Sequence, residues 1–347
     1  MTAVPKATRS KGAAIPLKLH IATGDYDRTR ALADGSVRPE GIELRHEALF
    51  AADIFKRLLQ HGEFDASEMG LTFYLGTLDF DDPPFIAIPV FPVRLFRHSA
   101  VFVNRNSGIA APGDLAGKTV GEMFFYGTDV GVWIKGIFGD EFKVPSASLR
   151  YVVGGVDRYE PKWDWLPFRP DSPAHVHVEQ LDEGQTLNAK LQSGEIDALI
   201  SALVPSCFLN RSPGIGRLFD NYETVERDYF ARSGIFPIMH TVVIRRAIYR
   251  QHPWVARALL EAFRAAKKKA EHIYAAGMPF MNTGITIPWL TAHLEENRRL
   301  LGEDPWPYGV AANRKTLDTF LRYHHEQGLS KRRYAVDEIF APETLAD

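Results

Sequence analysis

The sequence lacks the residues and runs on which several familiar classes of protein depend. Cys207 is the single cysteine, which excludes an internal disulfide and a metal centre built on several thiolates. No HExxH, CxxC, GxSxG or Walker loop occurs, and no GxGxxG follows a predicted strand. The N-terminal segment has no apolar stretch of a secretion signal, and no apolar run reaches the roughly 18 residues of a membrane span. We therefore expect a cytoplasmic protein with no membrane partner.

An excess of either charge is also missing. Lys and Arg total 41 against 43 for Asp and Glu, so the net charge is -2, and a nucleic-acid partner is not expected. Hydrophobic residues make up 45% and charged residues 24%, which is typical of a globular protein. Because 347 residues are many for one compact core, we expect two lobes.

Apolar periodicity predicts strands that alternate with helices, preceded by a disordered tail at residues 1–15. Gly62 is the expected end of an early helix, and Thr128 is the expected N-cap of a later one. This order is typical of an α/β protein with mainly parallel sheets. The predicted strands are 17–22, 64–69, 85–91, 119–123, 196–203 and 235–244, and the predicted helices include 51–61, 185–192 and 253–275.

The segment PVFPVRLFRHSAVFVN, residues 89–104, places Arg94, Arg97 and His98 between two apolar runs. An arginine beside a buried strand needs an acidic partner, an anionic ligand or solvent, because an unpaired buried charge is costly. The two arginines could pair with acids of the chain, such as Glu68 or Asp25. They could equally bind an anion, and at this point both interpretations stay open.

Two further features could carry chemistry. His240 lies in the apolar stretch GIFPIMHTVVI, where a lone imidazole is more often structural. The helix start at Gly127 and Thr128 presents free backbone N–H groups, which favour an anion. His175 and His177 have the spacing of a metal pair on a strand, but no partner cluster is near in sequence, so we predict no metal site.

The chain resembles the 4,5-dihydroxyphthalate decarboxylases over residues 17 to about 340. The stretches that carry the resemblance are VRPEGIEL, AIPVFPVRLFRHSAVFVN, the DLAGKTVGE and YGTDVGVW block, LQSGEIDALI and SGIFPIMHTVVI. The resemblance implies a two-lobe α/β fold similar to type II periplasmic binding proteins, with a ligand cleft between lobes joined by two crossover strands. Lobe one would comprise residues 16–100 and 241–347, and lobe two residues 101–240.

The implied function is the non-oxidative decarboxylation of a hydroxylated aromatic dicarboxylate, with 4,5-dihydroxyphthalate giving protocatechuate and carbon dioxide. The ring carbon that bears the leaving carboxylate would be protonated, and the hydroxyl para to it would act as electron sink. This scheme needs no organic cofactor, and a divalent metal on the catechol oxygens is the minority interpretation. The alternative function is a solute-binding protein for an aromatic or dicarboxylic acid. Whether the chain forms a homo-oligomer stays open.

The resemblance also suggests roles for the candidate residues. Arginines would hold carboxylate, the helix start would hold a second carboxylate, an imidazole would supply the proton and an acid would draw on a phenol. The predicted catalytic residues are His98, His240 and Glu68. The predicted substrate-binding residues are Arg94, Arg97, Asp25, Ser99, Tyr126, Gly127 and Thr128.

Overall fold

The computed structural model describes residues 15–161, 163, 166 and 173–346. The predicted tail therefore lies outside the described residues except for Ile15, and the segment 161–173 is described only in part. No helix in the described part of the chain is both long and apolar enough to cross a membrane.

The described strands are β1 Leu17–Thr23, β2 Ile42–Ala48, β3 Ala66–Gly70, β4 Phe85–Ile88, β5 Val101–Asn104, β6 Thr119–Met123, β7 Arg150–Gly154, β8 His177–Gln180, β9 Ala198–Ile200, β10 Ile215–Arg217 and β11 His240–Arg245. The described α-helices are α1 Asp27–Ala33, α2 Ala51–His61, α3 Leu71–Leu78, α4 Asp129–Phe142, α5 Leu187–Ser193, α6 Ser206–Leu209, α7 Tyr222–Ser233, α8 Arg246–Gln251, α9 Trp254–Gly277, α10 Leu290–Leu301 and α11 Arg314–Glu326.

These strands form two sheets. The first has the order β2-β1-β3-β11-β4 and the second the order β10-β5-β9-β6-β7-β8. In the first sheet β11 runs antiparallel to both neighbours, and in the second sheet β5 does the same. The other described strands of each sheet share one direction, so the predicted α/β architecture with mainly parallel sheets is confirmed. Helices cover the sheets, as the fully buried pattern of strands such as β3, β4 and β5 requires.

Local sequence explains where the helices next to the site begin and end. Helix α2 spans residues 51–61, as predicted, and ends at Gly62, whose φ of 58° is the left-handed conformation that glycine adopts readily. Helix α4 begins after Thr128, whose hydroxyl accepts a hydrogen bond from the N–H of Gly131. Its first ten residues are buried, and Trp133 donates a hydrogen bond of 2.8 Å to the carbonyl of Ile238. Helix α4 is therefore tied directly to the chain that enters β11.

Strand β11 is shorter than the pattern predicted. Residues 235–239 are outside it because Pro237 has no N–H to give to a sheet ladder, and Ile238 forms a single bridge with Arg94 instead. His240 is therefore the first residue of β11 and not its middle. This position puts the imidazole at the edge of the first sheet.

Candidate active site

One cavity of about 340 Å³ opens where strands of the two sheets end. The chain leaves β1 toward Tyr26, β6 toward Phe124 and β9 toward Leu203, and all three residues line the cavity. The antiparallel strand β11 begins at the same edge with His240. In open α/β sheets ligands bind outside the carboxyl ends of the parallel strands, so this is where the fold favours a binding site. The remaining lining residues are Phe50, Ala51, Ala52, Phe55, Phe73, Val93, Leu95, Arg97, Met123, Phe125, Thr128, Asp129, Val130, Trp163 and Ala202.

Aromatic side chains form much of the cavity wall. Phe73 is 5.4 Å from Phe125 between ring centroids, and Phe124 is 4.8 Å from Trp163 at an angle of 30°. Phe124 has a φ of 70°, which costs a non-glycine residue roughly 1–3 kcal/mol and is typical of functional sites. A wall of this kind suits a flat aromatic ligand, because rings stack favourably at these separations.

Glu68 and His240 form a hydrogen-bonded pair at one end of the cavity. The 2.5 Å contact joins Glu68 Oε1 to His240 Nδ1, and Glu68 also accepts hydrogen bonds from the N–H of Gly24 and the hydroxyl of Tyr26. Burial alone would raise the pKa of Glu68, but these donors, with His240 foremost, lower it below its usual value. An ionised carboxylate only accepts, so Nδ1 carries a hydrogen and Nε2 faces the cavity.

Arg97 is buried and lines the cavity, and no described residue gives it an acidic partner. Its Nε donates to the sulfur of Met239 at 3.2 Å, and no carboxylate of the described residues lies within 4.0 Å of its guanidinium. Burial lowers the pKa of Arg97 to about 10, opposed by the more distant charges of Asp129 and Glu226. The side chain is therefore still cationic at neutral pH. Its predicted protein partners are engaged elsewhere, since Glu68 binds His240 and Asp25 binds Arg30.

Asp129 adds a second buried carboxylate to the cavity. It is the first residue of α4, and its Oδ1 accepts the N–H of Thr72 at 2.8 Å. Its Oδ2 lies 4.0 Å from Nε2 of His240. Burial raises the pKa of Asp129, and His240, Thr72 and Arg97 oppose that rise. The site thus combines one imidazole, one guanidinium and one carboxylate on an apolar wall.

Arg94 does not belong to this cavity, although it stands three residues before Arg97. Its guanidinium donates to the carbonyls of Phe236 and Pro307 and to the amide oxygen of Asn313, at 2.8, 3.3 and 2.8 Å, and it packs over the Phe236 ring. Both terminal nitrogens of Arg94 thus donate hydrogen bonds to uncharged oxygens of the protein. Arg94 is therefore engaged in internal packing, and its position does not support the substrate contact predicted for it.

Three other predicted residues also lie outside the cavity lining. His98 is buried against Phe219 and Tyr229, and burial lowers its pKa to about 4, so it is neutral. Asp25 is exposed and paired with Arg30. The N–H of Ser99 donates to Glu226, and its carbonyl accepts from Arg217. Because none of the three reaches the cavity, the roles predicted for them are not supported by their positions.

The helix start at Gly127 and Thr128 is occupied by the chain itself. Oε1 of Glu122 accepts both backbone N–H groups, at 2.8 and 3.2 Å, and its Oε2 binds the fully buried ammonium of Lys135 at 2.6 Å. The anion that this helix terminus favours is therefore a side chain and not the second carboxylate of a ligand, which corrects that prediction. Of these residues, Thr128 alone lines the cavity.

Tyr126 belongs to the same buried cluster. Its ring lies 3.5 Å from Nζ of Lys135, and its hydroxyl shares a 2.9 Å hydrogen bond with Ser146. The ring therefore shields the Glu122–Lys135 pair on the far side of the helix start, and the substrate contact predicted for it has no support in its position.

The histidine pair of the sequence is not a metal centre in the described residues. His177 is exposed and bound to Glu179 at 2.7 Å. No group of three or more His, Cys, Asp or Glu side chains in the described part of the chain is arranged to hold a metal ion.

Of the residues predicted from the sequence, the structure brings Arg97, His240 and Thr128 to the cavity, and Glu68 is bound to His240. Asp129, which directly follows Thr128, was not among the predicted residues, and neither was the aromatic wall. Asp129 was within reach of the sequence, because the side chain of the first helical residue lies next to the N-cap. Phe73, Phe124, Phe125 and Trp163 come from three separate segments of the chain, and no local pattern marks them as neighbours.

Two curated enzymes are similar to this chain. A 4,5-dihydroxyphthalate decarboxylase of Comamonas testosteroni is 35% identical over 333 residues, which cover 95% of this chain and 98% of that protein. An enzyme of the same name from Pseudomonas putida is 32% identical over 214 residues, 62% of this chain and 81% of that protein. The chain belongs to the 4,5-dihydroxyphthalate decarboxylase family. It is therefore a carboxy-lyase, and the resemblance inferred from its sequence motifs is confirmed.

Solved structures confirm the fold of this family member. A periplasmic sulfonate-binding protein SsuA from Methylobacillus flagellatus superposes with a TM-score of 0.52 at 16% identity, covering 95% of this chain and 93% of that one. The alkanesulfonate-binding protein SsuA from Xanthomonas axonopodis, bound to MOPS, gives 0.51 at 13% identity with 94% and 99% covered. At these identities the likeness shows the two-lobe binding-protein fold alone. A search of protein-family models finds no match.

The buried pair behind the helix start gives a testable prediction about stability. Lys135→Met leaves Glu122 buried without its cation, and we expect the free energy of unfolding to fall by about 3–5 kcal/mol. Glu122→Gln combined with Lys135→Met removes both charges and should recover a large part of the loss. Urea unfolding measures both.

The control for this prediction is Lys190→Met, which breaks the partly exposed pair with Glu195. It should cost no more than about 1 kcal/mol. A Lys135→Met protein as stable as the wild type would contradict the role given to the pair.

Proposed function

We propose that this family member removes one carboxyl group from 4,5-dihydroxyphthalate and releases protocatechuate and carbon dioxide. The observation that carries the proposal is Arg97, a buried cation without an acidic partner among the described residues, in an aromatic cavity that also holds His240. A flat, anionic aromatic ligand matches each of these features. The names of the two curated relatives support the choice of substrate.

Arg97 would hold the carboxylate that the product retains. A guanidinium binds a carboxylate through two parallel hydrogen bonds, and burial strengthens that attraction. The carboxylate that leaves would lie nearer the phenyl groups of Phe73 and Phe125. An apolar surrounding disfavours the carboxylate anion relative to neutral carbon dioxide, so it favours departure.

His240 would deliver the proton to the ring. Direct loss of carbon dioxide would leave an aryl anion, so protonation of the ring carbon must come first. Glu68 fixes the ring of His240 through Nδ1 and stabilises the imidazolium, which directs Nε2–H toward the cavity. The carbon–hydrogen bond then forms, the carbon–carbon bond breaks, and its electron pair restores the aromatic ring. Glu68 therefore acts through His240 as a positioning residue.

This scheme uses the ring hydroxyl as electron sink and needs no organic cofactor. A divalent metal on the catechol oxygens is the minority alternative, and a chelator separates the two. A cytoplasmic location and the oligomeric state stay predictions from the sequence.

Turnover of defined ring acids tests the proposed reaction. Purified protein with 4,5-dihydroxyphthalate should release protocatechuate and carbon dioxide in equal amounts, measured by chromatography and gas analysis. Phthalate, which lacks the hydroxyl, should bind and not react, because its ring has no electron sink. Activity should persist in a chelator such as EDTA.

Binding of 4,5-dihydroxyphthalate without turnover, with or without added divalent ions, would contradict the proposal and favour the solute-binding alternative. Activity lost in the chelator and restored by a divalent ion would overturn the scheme without a metal.

The two arginines should respond differently to the same substitution. Arg97→Gln removes the charge that faces the ligand, and we expect phthalate affinity to fall about 10- to 100-fold, the loss of a charge-assisted hydrogen-bonded contact. Arg94→Gln should leave affinity close to the wild type and lower the unfolding temperature, since its contacts are internal. Calorimetric titration and thermal unfolding measure the two effects. Equal affinity losses in both variants would contradict the assignment.

The two histidines form a second matched pair. His240→Asn removes Nε2 and should lower kcat by roughly 10²–10⁴-fold, the usual contribution of a general acid. His98→Phe keeps an aromatic ring between Phe219 and Tyr229 and should keep kcat within about threefold of the wild type. Full turnover by the His240→Asn protein would show that His240 is not the proton donor.

A further inference from the structure

Asp129 is the one described carboxylate that lines the cavity beside His240. Its Oδ1 accepts the N–H of Thr72 at 2.8 Å, which anchors the carboxylate, and its Oδ2 lies 4.0 Å from Nε2 of His240. A Cβ at Gly70 would come within 2.4 Å of Oδ2, so the glycine leaves the space that this oxygen occupies. The chain thus makes room for a buried, oriented acid that the scheme above does not use.

We propose that Asp129 accepts the proton of the ring hydroxyl that lies para to the departing carboxylate. The inference rests on the proposed function and gives it a second catalytic residue. His240 supplies a proton to the ring carbon, and Asp129, whose Oδ2 lies 4.0 Å from Nε2 of His240, takes one from the para hydroxyl. A ring protonated at carbon needs such a base, because loss of the hydroxyl proton turns the cation into a neutral quinonoid.

The steps balance without an oxidant or a further reactant. The imidazolium of His240 gives its Nε2 proton to the ring carbon, and the hydroxyl proton passes to Asp129. The bond to the carboxylate breaks, carbon dioxide leaves, and the electron pair rearomatises the ring to the phenolate. Asp129 returns its proton to that oxygen, and His240 is reprotonated from solvent, so one proton is consumed in each turnover.

Other acids of the chain are less suited to this role. Both oxygens of Glu68 are held by Gly24, Tyr26 and His240, and Asp25 is exposed and paired with Arg30. Glu226 accepts the N–H of Ser99 and does not line the cavity.

The charges around Asp129 come from several elements. His240 faces it from β11, Arg97 from the segment before β5, and Glu122 lies behind the helix start, while Glu68 stands behind His240. Burial raises the pKa of Asp129, which makes its carboxylate a stronger base, while His240 and Arg97 favour ionisation. Because the ionised form accepts the proton, kcat/KM should fall as the pH falls through this raised pKa.

The test compares Asp129→Asn with Asp53→Asn. Asp53 is an exposed residue of the first turn of α2, next to the cavity but not lining it, so it is a matched control. With 4,5-dihydroxyphthalate we expect Asp129→Asn to lower kcat at least about 100-fold with a much smaller change in KM, since asparagine fits the site but takes no proton. For the residual activity of Asp129→Asn, kcat/KM should no longer fall as the pH is lowered. Asp53→Asn should match the wild type, and Asp129→Glu should regain part of the rate.

Wild-type turnover that Asp129→Asn retains would overturn the role of Asp129 and leave the proposed function intact. If the wild type binds 4,5-dihydroxyphthalate and does not turn it over, the proposed function fails. Calorimetric titration then tests whether a ring hydroxyl of the bound molecule contacts Asp129. In that case the wild type should bind 4,5-dihydroxyphthalate more tightly than phthalate, and Asp129→Ala should abolish this difference in affinity if a hydroxyl faces Asp129. Equal preferences in the two proteins would overturn it.

Discussion

The buried guanidinium of Arg97 is the constraint around which the rest of the site is arranged. A cation taken out of water without a paired carboxylate is costly, and in the described residues the direct hydrogen bond of Arg97 goes to a thioether sulfur. Such a group is tolerable when an anionic ligand completes its shell. Under the proposed function the same cost would make the cavity selective, since a neutral aromatic molecule would leave the charge of Arg97 unsatisfied. Affinity for a carboxylate and rejection of uncharged rings would then have one physical origin.

Two buried acids near the cavity, Glu68 and Glu122, have partners that keep them from pairing with this charge. Glu68 binds His240, Tyr26 and the backbone of Gly24, and Glu122 binds Lys135 and the start of helix α4. Because the carboxylates of Glu68 and Glu122 are already hydrogen-bonded to these partners, neither of them neutralises the charge of Arg97. In the proposed reaction the aromatic wall would lower the exposure of a bound ring to water, which would strengthen the charged contacts beside it.

Much of this arrangement follows from the sequence, and the remainder has a definite physical reason. The Gly62 helix end, the Thr128 N-cap and the alternation of strands and helices depend on local chemistry, which a sequence displays directly. The difference between Arg94 and Arg97 does not, because it depends on Asn313, 219 residues away from Arg94 in the chain, and on the carbonyl of Phe236, 142 residues away. Likewise the occupation of the helix start by Glu122 depends on the geometry of the turn after β6. Motif resemblance identified the family, but it could not tell which cation of FPVRLFRHS faces the ligand.

A structure of the protein with phthalate bound tests the central claim most directly. The account predicts one carboxylate on the terminal nitrogens of Arg97, the ring against Phe73 and Phe125, and His240 Nε2 facing the carbon that bears the second carboxylate. Phthalate bound in another concavity, or in this cavity with both carboxylates away from Arg97, would contradict it.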